Sequence, residues 1–327
     1  MPLFFIISGF FLNFYHSPFD FIKTKFQRLM VPFFKYLLFF SIVCWLLHFT
    51  NLPLTKNYTF SNTFGLYNFL IVPMLHNHNV YPILALWFVS TLFVTMVLVA
   101  FTRRYLLFCS KNVKSCVISL ILLTLLISIL SACSVSMNKS PLLAYLYRLG
   151  IAWCFVCQGW LLWNNRKFTI TPTALLIFSV IFLSLAWKYG YGYVFVFSNF
   201  GETYKQKILF SIFGITGFYF SVLVTEILMK AEIIKRFLVY CGQKSFHIMG
   251  LHLTGFLILN LCLTFMPNMH LRQINDIYFR FPVSTIWYFF AGLFFSIFCC
   301  YVYDNIFGKR GGQVISFCNL VNKSFRN

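Results

Sequence analysis

The chain has 327 residues, of which 60% are hydrophobic and only 10% charged; 26 are Lys or Arg and 6 are Asp or Glu, giving a net charge of +20. A soluble domain carries about a quarter charged residues because water must solvate its surface, so lipid is the main solvent here and a water-soluble enzyme is excluded. A nucleic-acid-binding domain is excluded too, because the cations are spread through loops between apolar runs and form no basic patch on a polar domain.

Nine apolar segments follow in order, over about 1–15, 30–50, 84–101, 115–135, 142–163, 170–187, 207–229, 245–266 and 283–303. A bilayer span needs about 20 apolar residues, and the first segment, MPLFFIISGFFLNFY, is short. The tract YGYGYVFVFSNF at 189–200 is apolar but glycine-broken and reads as an interfacial or re-entrant stretch. The expectation is an all-α, polytopic transmembrane helical bundle of about nine spans, one domain over 1–327. Seventeen cations lie in one set of alternate loops and seven in the other. This bias places the richer set, and the C-terminus, in the cytoplasm. With nine spans the N-terminus is then outside. No n-region charge precedes the first segment, so no cleavable signal peptide is read.

The eleven cysteines are scattered, mostly inside apolar runs. Cys154 and Cys157 form C-x-x-C in WCFVCQGW with no further ligand nearby, so they read as packing thiols and no metal site is assigned. His76 and His78 stand in an outer loop at i, i+2, a poor basis for metal binding. There is no G-x-S-x-G, Walker A or H-E-x-x-H motif. Six carboxylates in all give little support to magnesium chemistry.

Ionisable groups inside a membrane are expensive and therefore informative. Lys35 is one turn inside the second segment and can snorkel to the surface. Glu226 is near the inner end of the seventh, where a loop cation can pair with it. Arg148, in LLAYLYRLGIAW, cannot deprotonate, so it needs a carboxylate, carbonyls or a wet cavity. An anionic substrate group and structural pairing both answer that need. His252, in SFHIMGLHLTGF, lies seven residues past Ser245, about 10 Å into the membrane. A neutral imidazole there can take a proton from a hydroxyl, as acyl transfer to an alcohol requires. It can equally be a hydrogen-bonded packing residue. His247, nearer the loop, has the weaker case.

The opening MPLFFIISGFF and the following FIKTKFQRLMVPFF resemble the acyltransferase 3 family of integral-membrane acyltransferases, whose "mPlFFfiSGf" helix leads into a cytoplasmic "kkf.RLliPy" turn. ALWFVSTLF at 85–93 is similar to the family's "lWFl.alf", and YCGQKSFHIMGLH at 240–252 to its late "lG..Sl.iyllH". The four motifs fall in the family's order across nearly the whole chain. The resemblance implies a ten-helix membrane O-acetyltransferase. It would move an acyl group, usually acetyl, from cytoplasmic acyl-CoA to a sugar hydroxyl of a cell-surface polysaccharide or its lipid-linked precursor.

The resemblance implies a bacterial cytoplasmic (inner) membrane as the chain's location. Acetyl-CoA is the donor, and no tightly bound cofactor is implied. Lys25 and Arg28 take the family's basic turn, with Lys23 beside them. They are the expected partners of the CoA phosphates, although setting the topology explains such cations equally well. Ser8 and Gly9 take its SG pair, Trp87 joins the substrate- or cofactor-binding set, and His252 takes the late-helix His. The family's principal catalytic His belongs to a helix upstream of the opening motif, and the 327 residues contain no counterpart. One more helix would make ten and bring both termini inside. A misassigned start, a truncation or gene decay would each explain the difference. In-frame DNA upstream of Met1 is expected to encode roughly 30–40 residues of apolar helix with a His. The alternatives are a transporter or flippase for a lipid-linked sugar, and an inactive truncated homologue. A transporter would often show two related halves, and no internal pairing is evident.

Overall fold

The computed structural model describes residues 2–12, 17–49, 64, 87–109, 113–134, 141–164, 172–189, 204–265 and 285–307, and among them there is helix and no strand. Each expected apolar segment contains a helix: α1 (Pro2–Phe10), α3 (Val31–His48), α4 (Trp87–Phe101), α6 (Val113–Ser134), α7 (Pro141–Asn164), α8 (Pro172–Tyr189), α9 (Tyr204–Leu228), α11 (Ser245–Leu263) and α12 (Thr285–Phe307). Three stretches expected as loops are helical instead: α2 (Pro18–Lys25), α5 (Arg103–Cys109) and α10 (Glu232–Gln243). The tract 190–200, the His76–His78 pair and the side chain of Trp87 lie outside the described residues.

The helices divide into two compact units, Met1–Lys235 and Arg236–Asn327. In the first, α7 is the central helix and packs on α1, α4, α5 and α6. Neighbours enclose its middle on every face: Ile151, Ala152 and every residue from Cys154 to Leu161 are buried. Helix α9 closes the unit against α1, α6 and α8. Lipid tails are as apolar as leucine, so helices in a membrane associate through close packing and hydrogen bonds. Both are present. A Cβ on Gly9 would lie 2.2 Å from the Val156 carbonyl oxygen, and one on Gly159 would lie 1.9 Å from that of Ile6. Helices α1 and α7 therefore touch backbone to backbone. Beside them, Gln158 Nε2 donates to Thr124 Oγ1 at 3.2 Å, and the Ser128 and Ser211 hydroxyls pair, which ties α6 to α7 and to α9.

In the second unit α11 and α12 pack as antiparallel neighbours. A Cβ on Gly255 would lie 2.7 Å from the Ala291 carbonyl oxygen and 2.9 Å from Gly292 Cα. Near one end Lys244 Nζ meets Asp304 Oδ2 at 2.6 Å. Near the other the Tyr288 hydroxyl donates to Asn260 Oδ1, with both residues buried. Tyr288→Phe keeps the ring and removes this donor. It is expected to destabilise the hairpin by about 0.6–2 kcal/mol, the range of interhelical hydrogen bonds in membranes, read from thermal unfolding in detergent.

The outward faces match the solvent inferred from composition. Leu38, Phe39, Ile42 and Leu46 on α3, Leu122 and Leu126 on α6, Leu176 and Val180 on α8, and Phe289, Phe294 and Phe298 on α12 are all exposed. Such a surface would aggregate in water and suits a hydrocarbon layer. The stretches Pro18–Leu46, Ser211–Leu228, Ser245–Leu263 and Ile286–Asn305 are long and apolar enough to cross a membrane, and Phe88–Phe101, Ser115–Leu130 and Thr173–Lys188 are shorter apolar helices. The protein is thus an all-α, multi-pass membrane protein.

Candidate functional site

The basic turn is part of one continuous helical stretch. Ser17 caps α2 by accepting the Asp20 N–H at 3.2 Å, and Pro18 takes a position where no N–H is needed. Lys25 Nζ lies 5.3 Å from the centre of the Phe21 ring, and Arg28 stands close enough to act on its charge. Between α2 and α3 the helix widens to a π turn over Phe26–Met30, in which the Val31 N–H reaches back five residues to the Phe26 carbonyl. The cause is Pro32. It has no N–H for the Arg28 carbonyl, and its ring crowds that carbonyl. A wider turn relieves both, and such bulges recur at functional sites. A π turn holds one residue more than an α turn, so it rotates α2 by about 100° relative to α3. This rotation sets where Lys25 and Arg28 point. Pro32→Ala is expected to let the turn relax to regular α-helix and to leave the thermal midpoint unchanged or higher, read from unfolding in detergent.

His252 lies in the second turn of α11. Its Nδ1 is 2.9 Å from the Met249 carbonyl oxygen. A carbonyl can only accept, so Nδ1 carries the proton, and in the neutral ring the lone pair is on Nε2. The ring stands edge-on to Phe256, with centroids 5.5 Å apart. Gly292 of α12 faces the same spot: a Cβ there would lie 3.2 Å from His252 Cβ and 2.7 Å from Phe256 Cε1. The imidazole thus has a fixed tautomer, an apolar wall and a partner helix whose close approach depends on a glycine. The half-buried His247, nearer the helix start, is flanked by the Lys244–Asp304 pair.

Arg148 is buried, with 6% of its surface exposed, in the second turn of α7 beside Tyr145. It lies near the start of α7, whereas α1, which leads into the basic turn, meets α7 at Gly159 and Trp163 near its end. Helix α4 starts at Trp87, where the "WF" motif begins. Lys35 is on an exposed face of α3, as snorkelling requires. Glu226 is exposed, and the described ion pairs join Glu232 to Lys235 and Asp304 to Lys244. Cys154 and Cys157 are both buried inside α7, and neither forms a disulfide.

Four features escaped the sequence reading: the Gly9–Gly159 contact, the π turn at Pro32, the seat of His252 over Gly292 and the Lys244–Asp304 pair. The first had a signal, since Gly9 in the SG pair and Gly159 in CQGWLLW are glycines in otherwise bulky apolar helices, where small residues mark close helix contacts.

Comparison with known proteins adds the family. No curated protein and no solved structure matches the chain. The family model of the acyltransferase domain of acyltransferase 3 proteins matches residues 1–304, which includes the basic turn, α4, Arg148 and His252. The chain belongs to the acyltransferase 3 family and is a multi-pass membrane acyltransferase.

Proposed function

We propose that this protein transfers an acetyl group from acetyl-CoA to a sugar hydroxyl of a cell-surface polysaccharide or its lipid-linked precursor. The membrane is the bacterial cytoplasmic membrane, and the C-terminus is on the cytoplasmic side, in keeping with the cation bias. The observation that carries this reading is the His252 imidazole, held through Nδ1 with Nε2 as its basic nitrogen. In the proposed step Nε2 accepts the proton of the sugar hydroxyl as its oxygen attacks the thioester carbonyl. The C–S bond then breaks, and the CoA sulfur leaves as a thiol after taking that proton from the imidazolium. His252 is about 10 Å from the cytoplasmic end of α11, which suits a donor arriving from that side.

Lys25 and Arg28 bind the CoA phosphates by charge-assisted hydrogen bonds. Trp87 contributes to binding the donor or the acceptor. Arg148, nearer the outer face, binds an anionic group of the acceptor. The family match favours transfer over the flippase reading. The test is direct: full-length protein in proteoliposomes receives acetyl-CoA labelled in the acetyl group and polysaccharide isolated from the source cell. Label is expected in the glycan only when protein and donor are both present. Sugar movement across the bilayer without labelled glycan would overturn the proposal in favour of transport.

A further inference from the structure

Helix α10 is unlike the others. None of its residues is buried, and it lies between the membrane-spanning α9 and α11. At 100° per residue Ile233, Phe237 and Cys241 follow one another along one face, with Ile234 and Leu238 widening it. Ile233 is 85% exposed and Phe237 40%. Lys235 falls on one margin of this face and Arg236 on the other. Glu232 pairs with Lys235 at 3.5 Å, on the polar side. An apolar stripe with a cation at each edge is the pattern of a helix lying in a headgroup layer, where the stripe enters the acyl boundary and the cations meet lipid phosphates.

The tethers argue for the same occupant. Only Met229–Ala231 separate α10 from α9, and only Lys244 separates it from α11. Links this short, on two spans, keep the helix at the membrane surface whatever else it does. The side is the cytoplasmic one by the cation bias, and that leaflet holds the anionic lipids. Around the stripe Lys230, Lys235 and Arg236 set three positive charges against the one negative charge of Glu232. We propose that α10 docks on the anionic cytoplasmic leaflet of the chain's own bilayer and binds its lipid headgroups.

The test uses the full chain in nanodiscs of neutral phosphatidylcholine, or of phosphatidylcholine mixed with phosphatidylglycerol. Hydrogen–deuterium exchange is followed at the 232–243 amides. Exchange is expected to be slower in the anionic discs, with the difference shrinking at high salt. Lys235→Gln and Arg236→Gln should each remove about fivefold of that protection. The double variant Ile233→Asp, Phe237→Asp should exchange fast in both lipids while the α11 amides stay protected, which shows that the spans remain folded. Equal exchange in neutral and anionic discs would overturn the proposal. So would protection that disappears on dilution at fixed lipid composition, because a second protein copy would then be covering the face.

Discussion

Gly159→Ala is expected to unseat α1 from α7 and to lower the thermal midpoint of the protein sharply. The added Cβ would lie 1.9 Å from the Ile6 carbonyl oxygen and 2.8 Å from its carbonyl carbon. Both atoms are backbone, so no side chain can swing away. The helices must separate by about 1 Å or more along a tightly packed seam, which opens gaps beside Phe5 and Ile6, both buried. Overpacking of this kind costs about 1–3 kcal/mol or more, and Gly159→Ala belongs at the upper end because the contact is reciprocal: Gly9 faces the Val156 carbonyl in the same way. Gly242→Ala is the matched control. Nothing lies within 4 Å of its Cβ position, and alanine in a helix is about 0.5–1 kcal/mol better than glycine. It should leave the midpoint equal or higher. An unchanged midpoint for Gly159→Ala in detergent unfolding would show that the two backbones are not in contact.

The same pair of helices shows what a membrane sequence discloses and what it hides. The nine segments were legible because hydrocarbon demands long apolar runs whose backbone is satisfied internally. Which face of each turns inward was not. Helix α3 is apolar on nearly every side, yet among its described side chains Phe33, Leu37, Phe40, Ser41 and Cys44 are buried while Leu38, Phe39 and Ile42 face out. Hydrophobic periodicity has no contrast to work with when the solvent is itself apolar. Helix α10 was hidden for the opposite reason. Lys230, Lys235, Arg236 and Lys244 read as topology signals, and the weight given to charge obscured the apolar stripe between them. Of the candidate residues, His252, Lys25, Arg28 and Trp87 were singled out through motifs, and Arg148 through its charge in an apolar run. Gly292 was not, since it comes forty residues after His252 and only the α11–α12 packing brings it near. The rotation at Pro32 was not legible either, because a proline in a motif does not announce which turn geometry will absorb it.

His252→Ala is expected to lower kcat for acetyl transfer by about 10²–10⁴-fold, the usual contribution of a positioned general base, with little change in the KM for acetyl-CoA. The proposal gives the donor's phosphates to Lys25 and Arg28, so on that proposal loss of the base acts on the chemical step and spares that binding. A packing role for the imidazole predicts a different pattern, and His252→Asn separates the two. The Asn amide can donate to the Met249 carbonyl much as Nδ1 does, which preserves the local hydrogen bond, but it cannot accept a proton at neutral pH. If His252 is the base, the Asn variant should fold with a near-normal thermal midpoint and still lack activity. If the imidazole only fills space, the Asn variant should recover most of the rate. Gly292→Ala supplies a third reading from the facing helix. Its Cβ would press on Phe256 and on His252, so the ring must move while keeping its chemistry. A positioned base should then lose kcat with its pH profile shifted or broadened. Full activity in His252→Asn would remove His252 from the mechanism.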